Sequence, residues 1–320
     1  MARPVNNLRP VVFLMGPTAS GKTGLAVELV KRLPLEIVSV DSAMVYRGLN
    51  IGTAKPSAGI LKIAPHRLID ICEPTETYSA GSFCRDARIA IAEIHAADRV
   101  PLLVGGTGLY FRSLEQGFSS LPAADPVIRI KLDTEAKALG WDRMHDRLAR
   151  VDPAAAAKIH RHDPQRIQRA LEIYEITGRP LSEFHSDGRS EPLLHPLIKL
   201  IIAPGEGTRA KQREIISDRF MRMLDAGLVD EVRGLYERGD LTGVLASMRL
   251  VGYRQVWQYL EGKVNYNDMI NKAITATRQL AKRQMTWLRS EQNANWFDSG
   301  QPKLSHSLLN FLADYPIILS

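Results

Sequence analysis

Residues 16–23 read Gly16-Pro17-Thr18-Ala19-Ser20-Gly21-Lys22-Thr23 and match the pattern G-x-x-x-x-G-K-[ST] of a phosphate-binding loop. An apolar run over 10–15 precedes this loop and an apolar-periodic segment over 22–33 follows it, as a buried strand and a helix would. The glycines let backbone N–H groups face a pyrophosphate, the lysine supplies positive charge, and the threonine offers a hydroxyl to Mg²⁺. A bare glycine-rich turn is the alternative, but the flanking pattern favours a loop that binds a di- or triphosphate.

The rest of the chain extends this strand–helix pattern on both sides of a helical stretch. Strand-like runs recur at 36–40, 66–71, 100–104 and 196–203, and Ser79 has the character of a helix N-cap. Such alternation predicts an α/β fold with a P-loop NTPase-like parallel sheet as its core. We expect residues 1–118 and 195–320 to form that core with C-terminal helices, and residues 119–194 to form a helical insertion domain.

Composition bounds the class of protein. The 320 residues are 45% hydrophobic and 24% charged, which is typical of a globular chain long enough for two structural units. No apolar stretch approaches the ~20 residues that a bilayer requires, and the first residues lack the apolar core of a signal peptide. Two cysteines exclude a disulfide framework and predict a cytoplasmic location. The net charge of +7 favours a polyanionic partner without identifying one.

One acidic residue stands in an unusual place for a nucleotide hydrolase or kinase. Those proteins carry an acid at the end of a second core strand, but the strand over 100–104 ends in Gly105-Gly106-Thr107. The acid is instead Asp41, directly after the strand over 36–40. Because parallel strands open on one edge of a sheet, Asp41, Thr107 and the phosphate loop are predicted to converge. Asp41 could then be a metal ligand, a general base or the cap of the next segment.

Seven further segments, together with the phosphate loop, form an ordered series of motifs. They are Asp41-Ser-Ala43, Gly52-Thr-Ala-Lys-Pro56, Pro65-His-Arg-Leu-Ile-Asp70, Gly105-Gly-Thr-Gly-Leu-Tyr110, Asp163-Pro-Gln-Arg166, Val251-Gly-Tyr-Arg-Gln255 and Thr277-Arg-Gln-Leu-Ala-Lys-Arg-Gln284. Together, over residues ~10 to ~290, they resemble the tRNA dimethylallyltransferase family. The resemblance implies transfer of a dimethylallyl group from dimethylallyl diphosphate to N6 of adenine 37 in tRNAs that read codons starting with U. It also implies Mg²⁺ as the cofactor and a monomer that binds the tRNA anticodon stem-loop.

The resemblance assigns roles to the residues of the phosphate-binding crevice. It implies that Asp41 is the general base, that Thr107 contacts the target adenine, and that both are catalytic. It implies diphosphate binding by residues 16–23, with Thr23 at the metal. The family commonly shows an Arg-Ile-x-x-Arg pattern, but Ile215 stands at its first arginine. Arg213 or Arg219 would then reach the diphosphate, and Arg219 is our prediction.

The resemblance also implies a surface that binds tRNA, and it implies that the helical insertion domain over 119–194 contacts the tRNA. Arginine and glutamine can pair with phosphates and base edges, and a tyrosine ring can stack on a base. The alternatives to tRNA binding are that these side chains are solvated on exposed helix faces or form salt bridges to the rest of the protein. The implied tRNA-binding residues are Asp41, Ser42, Ala43, Met44, Thr107, Arg129, Gln165, Arg166, Ile167, Gln168, Arg169, Arg249, Tyr253, Arg254, Arg278, Lys282 and Arg283.

Three other functions remain open at this point. A prenyltransferase for free AMP or ADP would use the same chemistry but would not need a basic insertion. A P-loop nucleotide kinase conflicts with the absence of an acid after Val104. A nucleic-acid-binding module would use the phosphate loop only as a structural switch. His66 is also ambiguous, because it could be a structural histidine or could shape the floor of the crevice.

Overall fold

The computed structural model describes residues 8–117, 121–184, 191–205, 207 and 209–315. The chain divides into two compact units, one formed by residues 1–113 and 194–320 and the other by residues 114–193. The second unit starts a few residues earlier than the insertion predicted at 119–194. No helix among the described residues combines the length and the apolar character needed to cross a membrane.

The first unit is built on a six-stranded sheet in the order β3-β2-β4-β1-β5-β6, and every neighbouring pair is parallel. This confirms the predicted α/β class with a parallel core sheet. The strands are β1 (Val11–Met15), β2 (Leu35–Val40), β3 (His66–Arg67), β4 (Val100–Gly105), β5 (Leu197–Ala203) and β6 (Ala294–Asp298). The helices are α1 (Lys22–Val30), α2 (Ala58–Ile63), α3 (Ala80–Ala96), α4 (Gly108–Gln116), α10 (Arg209–Asp225), α11 (Leu228–Glu237), α12 (Tyr253–Leu260), α13 (Tyr266–Leu288) and α14 (Leu304–Ala313).

The sheet is buried on both faces because β1, β4 and β5 are almost wholly apolar. One face packs against α1 and α14, where Leu29 and Leu308 are fully buried. On the other face Phe13 meets Phe111 of α4, with ring centroids 4.9 Å apart. A second apolar core forms where helices α10, α11, α12 and α13 pack together, and Val232 and Met269 lie in it. These layers hold the ends of β1, β2 and β4 in fixed positions.

The second unit is helical, as the pattern over 125–184 predicts. Its helices are α5 (Pro126–Leu139), α6 (Trp141–Val151), α7 (Pro153–Ala156), α8 (Pro164–Thr177) and α9 (Leu181–Phe184). The sequence predicts both ends of α8, because Asp163-Pro164 is a helix start signal and Gly178 is a stop signal. Asp163 caps α8 by accepting from the Arg166 N–H at 3.2 Å, and Gly178 ends it in a left-handed conformation with φ of 69°, so both predictions are confirmed.

Two parts of the sheet differ from the sequence-based prediction. The strand predicted over 66–71 ends at Arg67, because Leu68 and Asp70 take positive φ angles of 62° and 55° that extended backbone does not allow. Residues beyond 290 carried no predicted element, yet they form β6 and α14. The polar, partly exposed sequence of β6 lacks the pattern of a buried strand. The helix α14 begins after Lys303 without a side-chain cap, so it has no start signal.

Candidate functional site

The phosphate loop takes the shape that its sequence predicts. Ala19 and Gly21 both adopt left-handed conformations, with φ of 62° and 81°. Gly21 is the N-cap of α1 and provides no side-chain hydrogen bond, so the first N–H groups of this helix face the loop. A Cβ on Gly16 would lie 2.2 Å from the Ile202 carbonyl oxygen, which explains the glycine at that position. The loop is therefore a concave set of N–H donors suited to an anion.

Lys22 lies inside this concavity with its ammonium tied to the loop. Its Nζ donates to the Pro17 carbonyl oxygen at 2.6 Å and to Ser20 Oγ at 3.3 Å. Burial lowers the pKa of Lys22 to about 7, while Asp41 raises it and Arg219 lowers it. An anion bound in the loop would restore the charge of this ammonium.

Asp41 follows β2 and organises the turn after it. Its Oδ1 accepts from the N–H groups of Ala43 at 2.8 Å and Met44 at 3.3 Å, as the capping alternative predicts. Its Oδ2 has no hydrogen-bond partner among the described residues, so this oxygen can accept a proton from a ligand. Thr107 holds the same turn, since its N–H donates to the Val40 carbonyl oxygen and its Oγ1 accepts from the Ser42 N–H at 3.2 Å. The two predicted catalytic residues are therefore brought together.

A cavity of about 890 Å³ in the first unit joins these groups. Its lining includes Thr18–Thr23 of the phosphate loop, the turns 41–44 and 105–109, residues 249–253, and one face each of α10 and α13. Arg219 lines it from α10; burial lowers the pKa of this guanidinium, whereas Asp41 raises it. Of the two arginines considered for the diphosphate, Arg219 faces the cavity and Arg213 is exposed outside its lining.

His66 also lines the cavity from the edge strand β3. Its Nδ1 lies 2.7 Å from the Ala64 carbonyl oxygen, so this nitrogen carries the hydrogen. Its Nε2 is buried and has no hydrogen-bond partner within the described part of the chain. Burial lowers the pKa of His66, which favours the neutral ring. The residue thus has both a structural contact and a place in the cavity wall.

The first-unit residues predicted to bind tRNA fall into two groups. Ser42, Ala43, Met44, Arg249 and Arg283 line the cavity. The exposed ones outside its lining are Arg254, Arg278 and Lys282; the Arg278 guanidinium donates to Ser217 Oγ at 2.9 Å.

The ring of Tyr253, which is predicted to stack on a base, is not exposed for such a contact. Its side chain is fully buried, and its hydroxyl donates to the Glu231 carboxylate at 2.6 Å. Glu231 also accepts from the backbone N–H groups of residues 50–52. Tyr253 therefore helps to hold the loop that lines the cavity, and the motif predicted its place in the chain but not the direction of its ring.

In the second unit, Gln165 and Arg166 are exposed on the first turn of α8. Gln168 is partly buried and donates to the Arg129 carbonyl oxygen and to Asp133. Ile167 belongs to the segment predicted to touch tRNA, but its side chain is fully buried in the core of this unit. The apolar positions of α8 face inward, which leaves only the residues on either side of Ile167 available to a ligand.

Arg129 and Arg169 are both paired with the buried carboxylate of Glu172. The Arg129 Nε lies 2.9 Å from Glu172 Oε1, and the Arg169 Nη1 lies 2.8 Å from Oε2. Burial of Glu172 opposes ionisation, but the hydrogen bonds from the two arginines hold its pKa below its ordinary value. Part of the positive charge that is predicted to bind tRNA is therefore neutralised by Glu172 within the unit.

Two glutamines with no predicted role hold the phosphate loop. The Gln284 side chain of α13 accepts from the Thr18 N–H at 2.8 Å and donates to the Gly106 carbonyl oxygen at 3.0 Å. The Gln212 amide of α10 donates to the Thr18 carbonyl oxygen at 3.2 Å. The available signal was the motif over 277–284, which ends at Gln284. The structure explains the glycine at 106, because a Cβ there would lie 2.4 Å from the Gln284 Nε2.

Thr23, the predicted metal-binding residue, lines the cavity at the start of α1. Within the described residues, no cluster of three or more His, Cys, Asp or Glu side chains could hold a metal ion. A divalent cation would fit here with Thr23 as its protein ligand and the remaining ligands from phosphate oxygens and water, which is how Mg²⁺ is usually bound beside a polyphosphate.

Comparison with known proteins gives consistent matches. The family model described as IPP transferase matches residues 44–291. A tRNA dimethylallyltransferase of Thioalkalivibrio sulfidiphilus is 60% identical over 281 residues, which cover 88% of this chain and 87% of that protein. One of Coxiella burnetii is 54% identical over 302 residues, covering 94% and 96%.

Solved structures of similar proteins match along nearly the whole chain. The tRNA isopentenylpyrophosphate transferase of Bacillus halodurans has a TM-score of 0.69 at 37% identity, covering 96% of each chain. A eukaryotic dimethylallyltransferase described as acting on tRNA has a TM-score of 0.76 at 25% identity, covering 95% of this chain and 78% of that one.

Proposed function

The chain belongs to the IPP transferase family of tRNA dimethylallyltransferases, and we propose that its cavity transfers the dimethylallyl group of dimethylallyl diphosphate to N6 of adenine 37 in tRNAs that read codons starting with U. The products are N6-isopentenyladenosine and diphosphate. The observation that carries this proposal is that the phosphate loop, Asp41 and Thr107 line one cavity, with no acid after β4.

The phosphate loop holds the leaving group in this reaction. A bond forms between N6 and the allylic carbon while the bond from that carbon to the diphosphate oxygen breaks, and the diphosphate leaves with the electron pair. The loop N–H groups, Lys22 and Arg219 stabilise the charge that develops on that oxygen. Thr23 would hold Mg²⁺ beside the diphosphate, and the ion would further neutralise the charge of the leaving group when bound.

Asp41 and Thr107 act on the acceptor. The adenine amino group is a weak nucleophile because its lone pair is delocalised into the ring, so removal of a proton during attack assists it by ~10²–10⁴-fold. The Oδ2 of Asp41 takes this proton while its Oδ1 stays engaged with the turn 42–44. Thr107 orients the adenine, which must leave its stack to enter the cavity.

A P-loop kinase is the weaker alternative for a physical reason. Such an enzyme would need a carboxylate at the end of β4. A Cβ at Gly105 would lie 2.0 Å from the Val40 carbonyl oxygen, so this position has no room for any side chain. The strand β4 therefore ends against β2 in a way that favours glycine over an acid.

The partner is the tRNA anticodon stem-loop. Exposed arginines near the cavity support this choice, namely Arg249 and Arg283, and the net charge of +7 agrees with it. We propose that the enzyme works as a monomer in the cytoplasm. The two cysteines, Cys72 and Cys84, are buried free thiols that suit a reducing compartment.

The test uses the full chain with Mg²⁺ and labelled dimethylallyl diphosphate. Three acceptors are offered in parallel: an anticodon stem-loop with adenine at position 37, the same stem-loop with guanine there, and free AMP. We expect label only in the first acceptor, because guanine carries an oxygen on C6 where adenine carries its amino group. Label only in AMP would overturn the tRNA proposal and retain the prenyl chemistry. No transfer to any acceptor would refute both.

The variant Asp41→Asn tests the role of the base. Asparagine keeps an oxygen for the N–H groups of Ala43 and Met44, so the turn should stay intact. We expect turnover to fall ~10²–10⁴-fold while stem-loop affinity is retained. Single-turnover transfer and stem-loop binding are the measurements, and a wild-type rate in this variant would rule out Asp41 as the base.

A further inference from the structure

Gln284 joins two loops that come from distant parts of the chain. Its Oε1 accepts from the Thr18 N–H at 2.8 Å, across 266 residues of sequence. Its Nε2 donates to the Gly106 carbonyl oxygen at 3.0 Å. The partners fix the orientation of the amide, because the opposite orientation would face a donor with a donor and an acceptor with an acceptor. One partly buried side chain therefore sets the separation between the phosphate loop and the turn after β4.

The peptide groups at Thr18 are held from two helices. While Gln284 of α13 binds the Thr18 N–H, Gln212 of α10 donates to the Thr18 carbonyl oxygen at 3.2 Å. Arg219 stands two turns further along α10 and lines the same cavity. The position of the phosphate loop is thus tied to the helices that also present the cationic side chains.

The close approach of α13 to the turn after β4 is a separate observation. A Cβ at Gly106 would lie 2.4 Å from the Gln284 Nε2 and 3.1 Å from the Gly16 carbonyl oxygen. A Cβ at Gly108 would lie 2.5 Å from the Trp287 ring, one helical turn beyond Gln284. Glycines on both sides of Thr107 let the helix rest directly on this turn.

From this geometry we propose that Gln284 is a positioning residue for the transfer reaction. It fixes the loop that holds the diphosphate relative to the turn that carries Thr107, which contacts the adenine. The inference rests on the proposed function. Because the bond to N6 forms as the bond to the diphosphate breaks, both substrates must be aligned at the same time, and a displacement of about 1 Å can slow such a step ~10²-fold.

The test replaces the amide without shortening the side chain. The variant Gln284→Met removes both hydrogen bonds and keeps a side chain of similar length. We expect the single-turnover rate at saturating dimethylallyl diphosphate and stem-loop to fall ~10- to 100-fold. Stem-loop affinity should stay near that of the wild type. Loss of the two hydrogen bonds should lower the thermal unfolding midpoint by only a few °C, so the variant stays folded at the assay temperature.

The matched control is Gln279→Met, an exposed position on the same helix and outside the cavity lining, which should transfer at the wild-type rate. A folded Gln284→Met variant with the wild-type single-turnover rate would overturn the proposal. If methionine disrupts the fold, Gln284→Glu keeps the acceptor for Thr18 but loses the donor to Gly106, and a wild-type rate there would overturn it equally. A wild-type enzyme that transfers nothing to tRNA refutes the proposed function instead.

Discussion

Lys22 is a buried ammonium whose hydrogen bonds go to neutral oxygens of Pro17 and Ser20. Desolvation therefore dominates, and it lowers the pKa of Lys22 to about 7, with Asp41 opposing and Arg219 reinforcing the shift. In the free protein the ammonium is mostly charged below pH 7 and mostly neutral above it. A bound diphosphate would favour the charged form, so binding above pH 7 must take up a proton.

We predict that diphosphate affinity weakens above pH 7, by up to ~10-fold per pH unit. Titration calorimetry with dimethylallyl diphosphate in buffers of different ionisation enthalpy would measure the proton uptake. In Lys22→Met the affinity should be lower and this pH-dependent step absent. Lys31→Met, at an exposed residue directly after the same helix, should retain the step. Proton uptake in Lys22→Met equal to that of the wild type would show that Lys22 is not the group that takes up the proton.

Single residues also show where sequence-based prediction ends. Asp41, Thr107 and Lys22 could be placed because they sit at strand ends and in a loop of fixed pattern. Gln284 ends one of the family motifs, but a polar residue on a helix does not reveal a partner 266 residues away, so its role could not be predicted. The burial of the Tyr253 and Ile167 side chains could not be predicted either, because a motif gives a position in the chain while packing decides which way a side chain points.

At the scale of secondary-structure elements, the ends of β2 and β4 meet almost without a gap. Gly105 pairs with Val40 across these strands, and a Cβ there would overlap the Val40 carbonyl oxygen. Because both atoms are held by the sheet, neither can move aside as the tip of a flexible side chain could. This contact brings Asp41 and Thr107, which follow the two strands, into the same place.

We predict that Gly105→Ala lowers the free energy of unfolding by ~1–3 kcal/mol, the usual effect of forcing extra volume into a packed site. Urea denaturation would measure it. Gly59→Ala is the matched control, since the nearest atom to a Cβ in α2 is Ser57 Oγ at 3.9 Å. Alanine there should be neutral or stabilising by up to ~1 kcal/mol. Equal unfolding free energies for the two variants would contradict the tight contact.

The elements themselves were predictable where their patterns were strong. Buried apolar runs identified β1, β4 and β5, and capping residues identified the starts of α3 and α8. The strand β6 and helix α14 were missed for opposite reasons. One is an edge strand with polar residues, and the other is apolar but begins without a cap. Their stability comes from packing on the sheet and on α1, which no local pattern records.

At the scale of the whole molecule, the two units contain different parts of the proposed activity. The first unit contains the phosphate loop and the proposed catalytic residues, and the second contains the exposed side chains of Gln165 and Arg166 on α8. The chemistry and part of the RNA recognition should therefore respond to mutation independently.

We predict that Arg166→Ala weakens binding of the anticodon stem-loop and lowers the slope of log affinity against log salt by about 1. Its effect on dimethylallyl diphosphate affinity should be nil. Arg143→Ala, an exposed arginine of α6 in the same unit, is the control for a general loss of charge. Equal losses in both variants would show that the unit attracts RNA only by its overall charge.

The bridge from Thr18 to Gln284 also bears on how the protein is made. Ribosomes add about 5–20 residues per second, so roughly 15–50 seconds separate the synthesis of these two partners, which lie 266 residues apart. During that interval the nascent chain already has its phosphate loop but lacks the amide that fixes it. Since α13 is translated long after the phosphate loop, we expect the nascent chain to be inactive until α13 has emerged and the Gln284 side chain has docked.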